Sequence, residues 1–138
     1  MAPPADIHAR RYYRVAYQRL EDGTLLFEQL ERHSPAVYLS GYAVECILKA
    51  LLIAATPAGR RGELLDSFRG STAHSIDWLR QQLAQRRVIA PATVAQRLTY
   101  VISWSTDLRY EPGPGSPEDA RAFLEAARAI LAWPDERV

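Results

Sequence analysis

The sequence predicts an all-α fold: a single-domain antiparallel bundle of about five helices. Three observations predict it. Apolar residues recur at helical steps along most of the chain, period-2 alternation is sustained nowhere, and Pro- or Gly-bearing breaks divide the chain into helix-length segments. The 138 residues make one domain, and at that size folding hides roughly 68% of the unfolded chain's surface, enough for a core without staples. The domain is expected to span residues 1–138, with its core at about 6–133 and a mobile basic loop at about 57–72.

The first helical region runs from about Asp6 to Arg32, with Tyr13, Ala16, Tyr17, Leu20, Phe27 and Leu30 at inward steps. Glu21-Asp22-Gly23 is placed to kink it or divide it. Ser34-Pro35 reads as an N-cap followed by Pro at the first helical position, opening a helix that lasts to about Ala55. Thr56-Pro57-Ala58-Gly59 stops it, and the basic loop follows, with a short turn around Leu64-Leu65. A third helix is expected at about Ser75 to Gln85, with Ile76, Leu79 and Leu83 on one face. A fourth should run from Pro91 to Thr106, with Val94, Leu98, Val101 and Ile102 inward. Glu111-Pro112-Gly113-Pro114-Gly115 cannot continue it. Ser116-Pro117-Glu118-Asp119 combines an N-cap, a first-position Pro and an acidic first turn, so the last helix is read as Pro117 to Trp133.

Composition narrows the function classes. The chain is 48% hydrophobic and 24% charged, with a formal charge of +1. That balance fits a globular protein and excludes a strongly basic coat, so nucleic-acid contact must use a local patch. Of 17 cationic side chains 16 are Arg and one is Lys, Lys49. Cys46 stands alone in an apolar run, which predicts a small buried hydrophobe rather than a disulfide or a Cys-rich zinc site. No cofactor is expected, and no His or carboxylate set has metal-ligand spacing. Pro35 to Ala55 is long enough to span a bilayer but carries Glu45 and Lys49 near its middle. Each charge costs about 2.5–3.5 kcal/mol there, so a buried helix of a soluble bundle is the better reading. Met1 to Asp6 lacks a signal-peptide pattern, and a cytoplasmic protein is expected.

At 100° per residue the second helix has two unlike sides. Ala36, Ala43, Val44, Ile47, Leu51 and Ala54 fall on one, and Tyr38, Tyr42, Glu45, Lys49 and Thr56 on the other. Glu45 and Lys49 are i, i+4 in the favourable order. Two readings fit: a paired couple that fixes how helices meet, or a polar site in the bundle wall where Lys49 faces a phosphate and Glu45 orients it or accepts a proton. Trp104, Asp107, Arg109, Tyr110 and Glu111 form a second polar cluster. Asp107 and Arg109 either cap a helix end, or Arg109 binds an anion with Tyr110 as a stacking surface.

The run Ala36-Val37-Tyr38-Leu39-Ser40-Gly41-Tyr42-Ala43-Val44-Glu45-Cys46-Ile47-Leu48-Lys49-Ala50-Leu51-Leu52 resembles the signature helix of the HEPN family. Thr72-Ala73-His74-Ser75-Ile76 is similar to the family's opening of the next helix, and Trp104 to Tyr110 to its W-x-x-x-L-R-Y segment. The resemblance implies a helical bundle, commonly homodimeric, from prokaryotic toxin–antitoxin, phage-defence or CRISPR-linked settings. It also implies one of two activities: metal-independent endoribonuclease, or non-catalytic RNA or nucleotide binding beside a small nucleotidyltransferase. The nuclease members use Arg-x(4–6)-His. Here no His follows Arg109; the formal match is Arg69 with His74, before the third helix. An upstream Glu-x(3)-Lys, present in some branches, is matched by Glu45 and Lys49.

Three functional expectations follow. The first is a homodimeric binding module, paired with a nucleotidyltransferase or similar partner, in which Lys49, Arg109 and His74 contact phosphate and Tyr38, Tyr42, Asp107 and Tyr110 shape the pocket. The second is an endoribonuclease toxin with Glu45 or His74 as base and Lys49 and Arg109 as transition-state stabilisers. The third is a dimerisation scaffold whose polar seam is structural.

Overall fold

The computed structural model describes residues 4–102, 104 and 116–136. Among them are six α-helices, two 3-10 turns and no strand. The helices are α1 (Ile7–Glu28), α2 (His33–Ala54), α3 (Arg61–Ser67), α4 (Ile76–Gln85), α5 (Ala92–Val101) and α6 (Pro117–Glu136).

Local chemistry sets most of the boundaries. Asp6 caps α1, its Oδ1 accepting from the N–H groups of His8 and Ala9, both at 2.9 Å. Ser75 caps α4 by accepting from Trp78 N–H. Ser116 accepts from Asp119 N–H at 3.3 Å at the head of α6, whose first turn is acidic. α4 ends in a Schellman turn: Arg87 N–H donates to Ala84 O and Val88 N–H to Leu83 O, both at 2.9 Å, with Arg87 at φ 60°.

Several expectations are corrected. Ser34 is not an N-cap: Arg32 is, without a side-chain bond, and Pro35 lies inside the first turn of α2. Pro needs no N–H donor there, so the helix starts earlier than its side chains suggest. Glu21-Asp22-Gly23 does not split α1, which is one unbroken helix through it. Gly23 is there for close approach instead: a Cβ on it would lie 2.7 Å from Ser40 Oγ and 3.1 Å from Ala36 O. Leu30, beyond the end of α1, is exposed, as is Ala54 on the apolar side of α2. The stretch read as a loop at 57–72 is largely helical, with α3 flanked by 3-10 turns at Ala58–Arg60 and Ser71–His74. α5 ends at Val101 rather than Thr106.

α1 and α2 form an antiparallel hairpin, since Gly23 meets Ala36 and Ser40 while Tyr12 meets Lys49. α6 runs antiparallel to α1 and packs on α2 as well: Tyr17 OH donates to Leu131 O at 3.0 Å and Arg128 Nη2 to Thr24 Oγ1 at 3.2 Å. α2 is thereby enclosed. Every residue from Ala43 to Ile53 is buried. α2 is long and apolar enough to cross a membrane, but 78% of that window is buried within the bundle. The Cys46 thiol is among the buried groups, and desolvation with the Glu45 carboxylate beside it pushes it up to about 12.

Candidate functional site

The polar stripe of α2 does not face water. Glu45 and Lys49 are 3% and 4% exposed. Lys49 Nζ donates to Glu45 Oε2 at 2.8 Å. The ammonium also lies 5.6 Å from the Tyr12 ring centre and 5.2 Å from that of Phe68, so two aromatic faces replace water around it. Tyr12 and Phe68 pack edge to face at 5.9 Å. The other carboxylate oxygen, Oε1, lies 3.1 Å from His74 Nδ1. A carboxylate only accepts, so the imidazole presents Nδ1–H to it and Nε2 remains as the outer nitrogen. The His74 side chain is 43% exposed. It is the one member of this trio that opens to solvent.

The fold explains the convergence. α2 presents Glu45 and Lys49 on one stripe, α1 lays Tyr12 across them, Phe68 follows the end of α3 as its C-cap, and the next 3-10 turn delivers His74. Arg69 is not gathered in. It is highly exposed and reaches Asp66 at 3.6 Å, which separates it from the Arg69–His74 pattern read in the sequence.

One turn toward the head of α2, Tyr38 and Tyr42 pack edge to face at 5.0 Å. Trp104 closes over them, with its ring 5.1 Å from that of Tyr42 and Nε1 donating to Tyr38 O at 3.2 Å. Gly41 makes this contact feasible, because a Cβ there would lie 1.9 Å from Trp104 Nε1. The signature helix and the W-x-x-x-L-R-Y segment are joined at this point. Asp107, Arg109, Tyr110 and Glu111 lie outside the described residues.

Tyr12 and Phe68 are site residues that the sequence reading passed over. Tyr12 sits three residues after Ala9 and four before Ala16, both fully buried, a spacing that marks the inner face. Leu64 and Phe68, four apart and both buried, carry the same signal for α3. Among the described residues no three His, Cys, Asp or Glu side chains gather to hold a metal ion.

The sequence model of the HEPN domain matches residues 9–138, essentially the whole chain. The chain belongs to the HEPN family. No curated protein and no solved structure matches it. Family membership makes this HEPN chain a nucleotide- or RNA-related module on an all-α fold. Within the HEPN bundle described here, the signature helix supplies the buried Glu45–Lys49 couple and His74 carries it to the surface.

Proposed function

We propose that this HEPN chain is an RNA- or nucleotide-binding module of a prokaryotic toxin–antitoxin or defence system. It is non-catalytic alone, homodimeric, cytoplasmic, and paired with a nucleotidyltransferase or similar partner. The observation that carries the reading is the sealing of the polar couple: Glu45 and Lys49 are almost fully buried and only His74 reaches solvent. General acid–base cleavage needs groups within hydrogen-bond reach of two reacting oxygens. A single exposed imidazole held by a buried carboxylate suits phosphate contact, and Arg109 is proposed as the second phosphate contact.

A second reading is favoured by the same 3.1 Å contact. A carboxylate behind Nδ1 orients an imidazole whose Nε2 can take a proton from a 2′-hydroxyl, which is metal-independent endoribonuclease chemistry. One experiment decides. Fluorescent single-stranded and structured RNAs and ATP are titrated in EDTA against wild type, His74→Ala and Arg109→Ala, and the RNAs are then run on a gel. Binding without cleavage, weakened in both variants, is the expected result. Cleavage lost in His74→Ala would establish the nuclease, and no binding to any probe would leave a scaffold.

A further inference from the structure

The polar stripe of α2 does not end at Lys49. Its last member, Thr56, lies two turns on and opens into a cavity of about 450 Å³ between the end of α2, α3 and α4. This is within the range of small-ligand clefts. The Glu45–Lys49–His74 site does not use it. α3 and its C-cap serve both places: Phe68 covers Lys49, whereas Glu63 and Ser67 line the cavity.

Arg86 is the built feature of this cavity. Its Nε donates to Thr56 Oγ1 at 2.9 Å, and its Nη1 to Gln82 O at 3.0 Å and Gln82 Oε1 at 3.3 Å. Thr56 is 4% exposed and passes its own proton to Leu52 O at 2.7 Å. The guanidinium is therefore half-buried and held through Nε and Nη1 by three bonds, with no bond at Nη2 among the described residues. Among the described residues no carboxylate comes within ion-pair distance of it. A partly desolvated, pre-positioned cation without a counter-ion is an anion site. Arg60, largely exposed and 3.9 Å from Glu63, brings a second guanidinium to the same wall. The half-buried Trp78 indole supplies a flat apolar face, and the Gln85 amide a donor and acceptor at the rim.

We infer that this cavity binds a nucleoside monophosphate, its phosphate on Arg86 and Arg60 and its base stacked on Trp78. An inorganic anion alone would leave the indole and the amide unused. A purely apolar ligand would leave two guanidinium groups facing it. The inference rests on different residues from the proposed RNA contact, and the two stand or fall separately.

Calorimetric titration of the full chain with AMP, GMP, CMP and UMP tests it, with adenosine and inorganic phosphate as comparators. At least one monophosphate should saturate with a Kd at or below about 1 mM, and its nucleoside and phosphate should each bind about tenfold more weakly. Trp78→Ala should weaken binding about tenfold. Arg60→Gln, at an exposed position, tests the phosphate end should Trp78→Ala not fold, and it should weaken binding severalfold. His74→Ala should bind as wild type does. Absence of saturation by all four, equal binding of phosphate alone, or indifference to Arg60→Gln would each overturn the inference. Loss in His74→Ala would also overturn it, by moving the ligand to the other site.

Discussion

Lys49 is the only lysine in the chain, and its ammonium is held by one carboxylate and two aromatic rings. Removing one partner of a buried couple leaves the other charge unpaired, at a cost of about 3–5 kcal/mol. Lys49→Ala should therefore show that loss in urea unfolding, and Glu45→Leu combined with Lys49→Met should recover most of it. If the single and double variants are equally unstable, the couple is not the seam that organises the helices. Cys46 gives a second test at this scale. Burial pushes its thiol from an ordinary 9.0 up to about 12. The folded state keeps the proton that the unfolded state gives up, so stability is full below pH 9 and falls as pH rises toward 12. Cys46→Ala should flatten that alkaline limb. A thiol-disulfide reagent at pH 8 should react with the native protein only at the rate of opening. The buried state of Cys46 was legible from its apolar neighbours. The inward spacing of Tyr12 and Phe68 was legible too, but their meeting over Lys49 was not, because contact between rings from separate elements leaves no mark in linear spacing.

Among the elements, α2 shows how one glycine can join two motifs. Gly41→Ala would drive a methyl group into the Trp104 indole. It should cost about 1–3 kcal/mol and release the quenching or shift of Trp104 fluorescence that its Tyr38 and Tyr42 neighbours impose. The end of α4 carries the opposite opportunity. Arg87 holds φ 60° in the Schellman turn, where glycine is at ease. Arg87→Gly should raise stability by up to about 1 kcal/mol, or about 3–4 °C in Tm. The helix-forming stretches were readable from period and, at Ser116, from the cap. The entry to α2 and the helical character of 57–72 were not, since packing of Ala36, Leu64 and Phe68 against the core overrides weak local signals there.

Across the whole molecule, Asp6 clasps distant parts of the chain. It caps α1 and pairs through Oδ2 with Arg61 Nη1 at 3.3 Å, while Arg61 Nε donates to Ile53 O at 3.1 Å and Thr56 O at 2.9 Å. The start of α1, the end of α2 and the start of α3 are thus tied at one corner, beside the segment that delivers Phe68 and His74. The backbone N–H of Ala9, ahead of the other donors, holds the Asp6 carboxyl below its ordinary 3.8. Its contribution is present above pH 3.8 and is lost as pH falls below it. Asp6→Ala should cost about 1 kcal/mol at neutral pH. Asp6→Asn keeps a cap and loses the charge, so its smaller deficit should vanish in acid. A deficit of Asp6→Asn that persists at pH 2 would show that the carboxylate charge is not its source.

The helical class, the single-domain size and the signature of the HEPN family are all carried by local pattern: caps, apolar period and a short motif on one helix. Those features survive in one dimension because each depends on neighbours within a turn or two. Which residues surround Lys49, why Gly23 and Gly41 are glycine, and which side chain brings Glu45 to the surface depend on contacts between elements far apart in the chain. Burial on all sides turned the polar stripe of α2 from a solvated face into a sealed couple with one exposed imidazole. The desolvation that makes that couple costly also confines its chemistry to His74.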